Sequence, residues 1–310
     1  MSEHITHVAV CDDCIRLAMH SPKICQPFKQ VLTQHIDLAR MGSFSRGGDR
    51  VTVQVLDYCR QRWPKRQPGD MVEEKLAFAL GWRGHNAADR QFKPVYRQVE
   101  PDYYAKADAG GGDPDVDAPS DSRIYHDTIL FNEVFRGGRD KPFTPHLLEY
   151  RLQSHPAARG MAVENLEDLF GGLLQRSLFE LQSLPPGTAN AGKRLALAPR
   201  RYQPFTVDVH RMSRAFYSPD AEKLRRFMIE NDFYDRANPI IVLARSIQRG
   251  APDQRINLEQ ALQAAESQSG YAQAVRKGYL YLLASSEYFE RRIGDEELRE
   301  RLDLAKPHTG

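Results

Sequence analysis

Apolar residues recur at three- and four-residue steps along most of this chain, and that period restricts it to packed helices. His7, Val8, Cys11, Ile15 and Ala18 follow the pattern near the start, with Pro22 closing the segment. A second helix is expected from about Pro27 to Arg40, with Phe28, Val31, Leu32, His35 and Ala39 on one side. Residues 42–49 contain five glycine or serine positions before Asp49 and read as a loop. Residues 50–63 fit either alternation (Val51, Val53, Val55) or helical spacing (Val55, Leu56, Cys59, Trp63), and the neighbours favour helix. Asp70 with Glu73 three residues on has the form of a capping box, and that helix should reach Phe92, before Pro94.

Further along, Asp108 to Asp121 is an acidic, Gly- and Pro-rich loop, followed by a helix over about Ser122 to Arg136. Leu166, Leu169, Phe170, Leu173, Leu174, Leu178 and Leu181 form an amphipathic stripe ended by Pro185 and Pro186. Ser218-Pro219 and Asn257 look like helix starts, and Tyr271 to Ile293 reads as a long aromatic helix. The expected fold is all-α, a helical bundle with a C-terminal helical extension. Its division is 1–150 and 151–310, with a linker near 184–204.

Composition narrows the function. The 310 residues carry 43 Lys+Arg against 41 Asp+Glu, a net charge of +2, which gives no warrant for a sequence-blind nucleic-acid binder. No run approaches the roughly 20 apolar residues of a membrane helix, and the start lacks the basic and apolar regions of a secretory signal. A cytoplasmic protein with reduced thiols is the expectation, since four cysteines in 310 residues make no disulfide framework.

The expected Asp70–Phe92 helix carries the chemistry. Met71, Phe78, Trp82, His85 and Asp89 share one face, so a stripe that should meet the core ends in an imidazole and a carboxylate. Two such groups one turn apart lie about 5–6 Å from each other at Cβ, close enough to share a cation. Their plain alternative is a His–Asp hydrogen bond beside the core. His7 interrupts the apolar face of the first helix in the same way. His35 does so in the second, and Asp49 after two glycines is either an inward carboxylate or an ordinary helix cap. His7, Asp49, His85 and Asp89 together suit Zn²⁺ or another divalent transition metal.

The order Thr6-His7, Gly48-Asp49, then Gly84-His85-Asn86-Ala87-Ala88-Asp89 resembles the all-helical zinc-dependent phospholipase C family and its distant P1-type nuclease relatives. The likeness covers roughly residues 4–136 and rests on short motifs. It implies metal ligation by His7, Asp49, His85 and Asp89, with His126 and Glu133 from a later helix. Gly48 stands where the family has proline, Lys93 where it has histidine, and Leu130 where it has glutamate. A one- or two-metal site remains compatible with these departures.

The implied activity is phosphoester hydrolysis on a small molecule or lipid headgroup, with zinc, or else manganese or iron, lowering the pKa of a coordinated water toward about 7. Asp49 would serve as bridging ligand or base and Lys93 as a phosphate contact or a solvated lysine; Arg46 and Arg83 are further phosphate contacts or, as is commoner, surface arginines. The competing expectation is a helical scaffold or interaction module that has lost catalysis; a helical adaptor docking through its C-terminal tyrosines is a third. Cys11-x2-Cys14 has no second pair to complete a zinc site and reads as small core residues. Asp113, Asp115 and Asp117 lack the glycine and glutamate of a calcium loop. His126-Asp127 admits an HD-type phosphohydrolase as a minor alternative.

Overall fold

The computed structural model describes residues 4–44, 49–109, 121–130, 133–134 and 220–304 of the chain. Within them the backbone is helical, with no strand. The first half supplies α1 (His4–His20), α2 (Gln26–Gln34), α3 (Ile36–Phe44), α4 (Asp49–Arg62), α5 (Val72–Val99), α6 (Pro101–Ala109) and α7 (Asp121–Leu130). The second supplies α8 (Ala221–Arg225), α9 (Pro239–Gln248), α10 (Leu258–Ala264), α11 (Gly270–Phe289) and α12 (Asp295–Arg301). No helix among the described residues is long and apolar enough to cross a membrane.

Two helices organise the rest. α1 is buried on nearly every side, with Val8, Ala9, Val10, Leu17 and Ala18 fully covered. Its polar residues Thr6, His7, Asp12 and Asp13 are buried with them, and so must find partners. α5 packs most extensively against α3, then against α11, α1 and α4. Its apolar side buries Leu76, Phe78, Trp82 and Phe92, each contributing roughly 2–3 kcal/mol of transfer free energy. One apolar cluster runs from Ile5 on α1 to Leu302 beyond α12, so the described C-terminal helices share the core of the N-terminal ones.

Small residues set how closely these helices approach. A Cβ at Gly84 of α5 would lie 2.8 Å from the Cβ and 2.9 Å from the Cα of Cys11 on α1. At Gly81 it would overlap the carbonyl oxygen of Ala39 on α3. Only glycine permits both contacts, and they bring α1 and α3 against one stretch of α5.

Helix ends depart from the sequence in instructive ways. The expected Pro27–Arg40 helix is two helices, because His35 leaves the helical region at φ −127° and ψ 39°. The break turns α3 so that Ala39 can meet Gly81. α5 begins after Met71, which adopts a left-handed φ of 51°, so Asp70 does not cap it. Asp70 instead closes the preceding 3₁₀ turn, its Oδ2 accepting the Gln67 amide at 3.2 Å. α5 also continues through Pro94 to Val99. Pro94 lies on the exposed side, while Tyr96 just beyond it is fully buried, and that packing outweighs one lost backbone bond.

Residues 50–63 are helical, as the spacing favoured, and Asn257 caps α10 by accepting the Glu259 and Gln260 amides. α8 is capped by Asp220, two residues beyond the expected Ser218. The boundary at 150, the linker near 184–204, the Leu166–Leu181 stripe and the Asp113–Asp117 run lie outside the described residues.

Candidate metal centre

His7, His85 and Asp89 converge where α1 meets α5. Gly84 allows the helices to touch there, and α1 itself is fixed by a group that the sequence disguised. Asp127 of α7 is fully buried and accepts the backbone amides of Ile5 at 3.2 Å and Thr6 at 2.7 Å, with the Thr6 hydroxyl at 2.6 Å. A carboxylate at a helix N-terminus satisfies orphan amides and opposes the helix dipole. The His126-Asp127 pair is therefore a cap next to a core histidine, one residue before His7 on the capped helix.

The His7 and His85 rings stack with centroids 4.5 Å apart and planes at 24°. His7 Nε2 lies 3.3 Å from Asp89 Oδ1, and His85 Nε2 lies 3.2 Å from Asp89 Oδ2. Ligands about 2.0–2.1 Å from a tetrahedral zinc stand roughly 3.3 Å apart, so this spacing suits a shared cation. It equally suits hydrogen bonds from protonated rings, and the protonation of His85 decides between them.

His85 Nδ1 is 3.0 Å from the carbonyl oxygen of Ser43, at the end of α3. A carbonyl only accepts, so Nδ1 carries the proton. In the neutral ring Nε2 then has a lone pair, and it faces the Asp89 carboxylate. Two lone pairs at that distance repel unless a cation lies between them, a metal ion or a second proton on the ring. Burial lowers the pKa of His85, with the Asp89 charge opposing and His7 adding to the fall. Burial alone would raise the Asp89 carboxyl, yet the His85 charge and hydrogen bonds from both imidazoles more than offset this and hold it well below the usual carboxylate range. Asp89 is thus held as a carboxylate, beside a His85 ring that burial disfavours from taking up a second proton. A histidine whose second nitrogen donates to a backbone carbonyl is also how metal-binding histidines are oriented.

The group is accessible. Asp89 has a side-chain exposure of 21%, and Lys93, one turn on, places its ammonium 2.7 Å from Asp89 Oδ2.

Other expected site residues lie elsewhere. His126 does not join the group. Its ring stacks on Phe233 at 3.5 Å and 7°, beside Phe92 and Phe227, and Nδ1 meets the Tyr96 hydroxyl at 3.1 Å. Nε2 has no hydrogen-bond partner among the described residues, and burial lowers the pKa to about 3. Aromatic packing explains its position on the inner face of α7. Glu133 pairs with Arg236 at 2.8 Å. His35 stands 3.7 Å from Glu73. Arg83 is buried rather than at the surface. Asp49 opens α4, but its side chain and all of Arg46 lie outside what is described.

Cys11, Cys14, Cys25 and Cys59 are free, buried thiols, and burial raises the pKa of each. They are core residues. Ser43 was missed because its contribution is a backbone carbonyl, which no side-chain pattern reveals.

No protein-family model, curated protein or solved structure matches the chain.

Proposed function

We propose that the chain is a metal-dependent phosphoester hydrolase of the phospholipase C-like kind, with His7, His85 and Asp89 holding a divalent cation, zinc in the first instance. The observation that carries this reading is the placement of His85, whose Nδ1 donates to the Ser43 carbonyl while Nε2 points at Asp89 from 3.2 Å. Two imidazoles and one carboxylate are a common donor set of catalytic zinc sites, which keep a position open for water or substrate.

Each residue has a definite task. His7 and His85 donate as neutral rings, and Asp89 supplies the negative charge. Ser43 holds the His85 tautomer, while Asp127 and Gly84 fix how α1 lies on α5. A cation held by these three residues would supply Lewis acidity, lowering the pKa of a water toward about 7 and stabilising charge on a phosphoryl oxygen. Asp49 is assigned as a further ligand or base from its place in the sequence, and Lys93 lies at the rim where an anionic substrate would enter. A phosphoester small molecule or lipid headgroup is the substrate class.

Turnover of a generic phosphodiester and a generic phosphomonoester tests the activity. It should appear after metal-stripped protein is reloaded with zinc, manganese or ferrous iron, and be lost in Asp89→Ala. No turnover by metal-loaded protein would overturn the hydrolase reading. One observation favours a second reading, a scaffold that has lost catalysis. Lys93 already sets a positive charge on Asp89 at 2.7 Å. In that case neither wild type nor Asp89→Ala would hold metal.

A further inference from the structure

We infer that Lys93 is a displaceable internal counter-ion that competes with the metal for Asp89. The inference rests on the cation site proposed above. His85, Asp89 and Lys93 follow one another at four-residue steps on α5, so their side chains form a ladder along one face. Asp89 lies between the other two, with His85 Nε2 at 3.2 Å and Lys93 Nζ at 2.7 Å, both to Oδ2. That oxygen faces both the buried His85 lone pair and the solvent-side lysine.

The two neighbours differ in how firmly they are held. His85 is pinned through Nδ1 by Ser43, within the core. The Lys93 side chain is 57% exposed. Its flexible stem can swing outward, where water solvates the ammonium at little cost. Binding a divalent cation at Asp89 therefore requires only that this outer partner leave, with the imidazoles in place. An arginine here would have been a poorer choice, because a planar fork grips a carboxylate with two parallel bonds. While the cation is absent, Lys93 supplies a charge to a part-buried carboxylate. Once the cation binds, the freed ammonium stands at the mouth of the site as a positive charge for an incoming anion.

Calorimetric titration of metal-stripped full-length protein with Zn²⁺ and Mn²⁺ tests this in wild type, Lys93→Met and Arg97→Met. Lys93→Met should bind each metal about fivefold more tightly, the upper range for a part-exposed ion pair. Arg97→Met removes the same charge one turn further along α5 and should match wild type. Thermal melts by circular dichroism establish that each variant is folded, as expected for exposed positions. Equal affinity in wild type and Lys93→Met would overturn the inference while leaving the metal site standing. Equal tightening in both variants would also overturn it, since total charge would then be the cause. No metal binding in any of the three would overturn the inference together with the site.

Discussion

Two polar clusters share α1, and they solve the problem of buried charge in opposite ways. On one side, Asp12 and Asp13 are sealed in the core. Asp12 accepts Arg40 Nε at 3.1 Å, and Asp13 accepts Arg16 at 2.6 Å, Arg245, and the Tyr271 hydroxyl at 2.8 Å. Permanent cations from α1, α3 and α9 neutralise both carboxylates. Burial works against the charge on Arg245, but Asp13 outweighs it and raises the pKa of the guanidinium. On the other side, Asp89 faces two imidazoles and one exposed lysine, at an edge that water reaches. The first cluster is complete within the protein and ties α9 and α11 to α1. The second contains ligands in place of permanent cations, and among the described residues its one permanent cation is the partner held most loosely. A buried carboxylate alone says nothing about function, whereas the kind of partner given to it separates structure from chemistry.

Removing a carboxylate from each cluster should separate them most sharply. Asp13→Ala takes the carboxylate from Arg245, leaves Arg16 with Asp12 alone, and should cost about 3–5 kcal/mol in urea unfolding, irrespective of added zinc. A loss below about 1 kcal/mol would remove the structural half of the contrast.

His126 sharpens the comparison because it is enclosed among aromatic rings with no carboxylate paired to it. Its pKa falls from 6.5 to about 3 on folding, so the unfolded chain binds the proton first. Stability is unaffected above pH 6.5 and then falls by about 1.4 kcal/mol per unit as pH drops toward 3. His126→Phe should flatten that part of the pH–stability curve. An unchanged slope would mean that other groups govern the acid response.

Gly84→Ala probes how the second cluster is assembled. Its Cβ would press on Cys11 at 2.8 Å, and overpacking of this kind costs about 1–3 kcal/mol. It should also move His7 away from His85 and weaken metal binding, which an alanine on the far side of α5 would not do. Wild-type metal affinity in this variant would show that the α1–α5 spacing does not set the site. The smallest effect is expected at Lys93. Lys93→Met should lower the folding stability of the metal-free protein by no more than about 1 kcal/mol while altering metal affinity. A larger loss would place Lys93 with the structural cluster.

Helix content and the pairing of His85 with Asp89 were legible in the sequence because both are local, resting on the three- and four-residue steps of α1, α5 and α11. His7 could be added only through its place on an apolar face and the likeness of Thr6-His7 to a known motif. What was hidden depends on tertiary packing. The break at His35 carries no proline or glycine and arises because α3 must turn toward Gly81. Pro94 normally ends a helix, yet the burial of Tyr96 carries α5 past it. His126 and Asp127 had the appearance of a catalytic pair, but one joins an aromatic core and the other caps a helix more than a hundred residues away in the chain. The tautomer of His85, on which the metal reading turns, depends on the Ser43 carbonyl and so is invisible to any reading of side chains.

The most direct test is elemental analysis by plasma mass spectrometry of wild type and Asp89→Ala, each stripped, reloaded with zinc and dialysed. The account predicts about one equivalent of zinc in wild type and little in Asp89→Ala, with both proteins folded. Equal zinc in the two, or none in wild type, would contradict it.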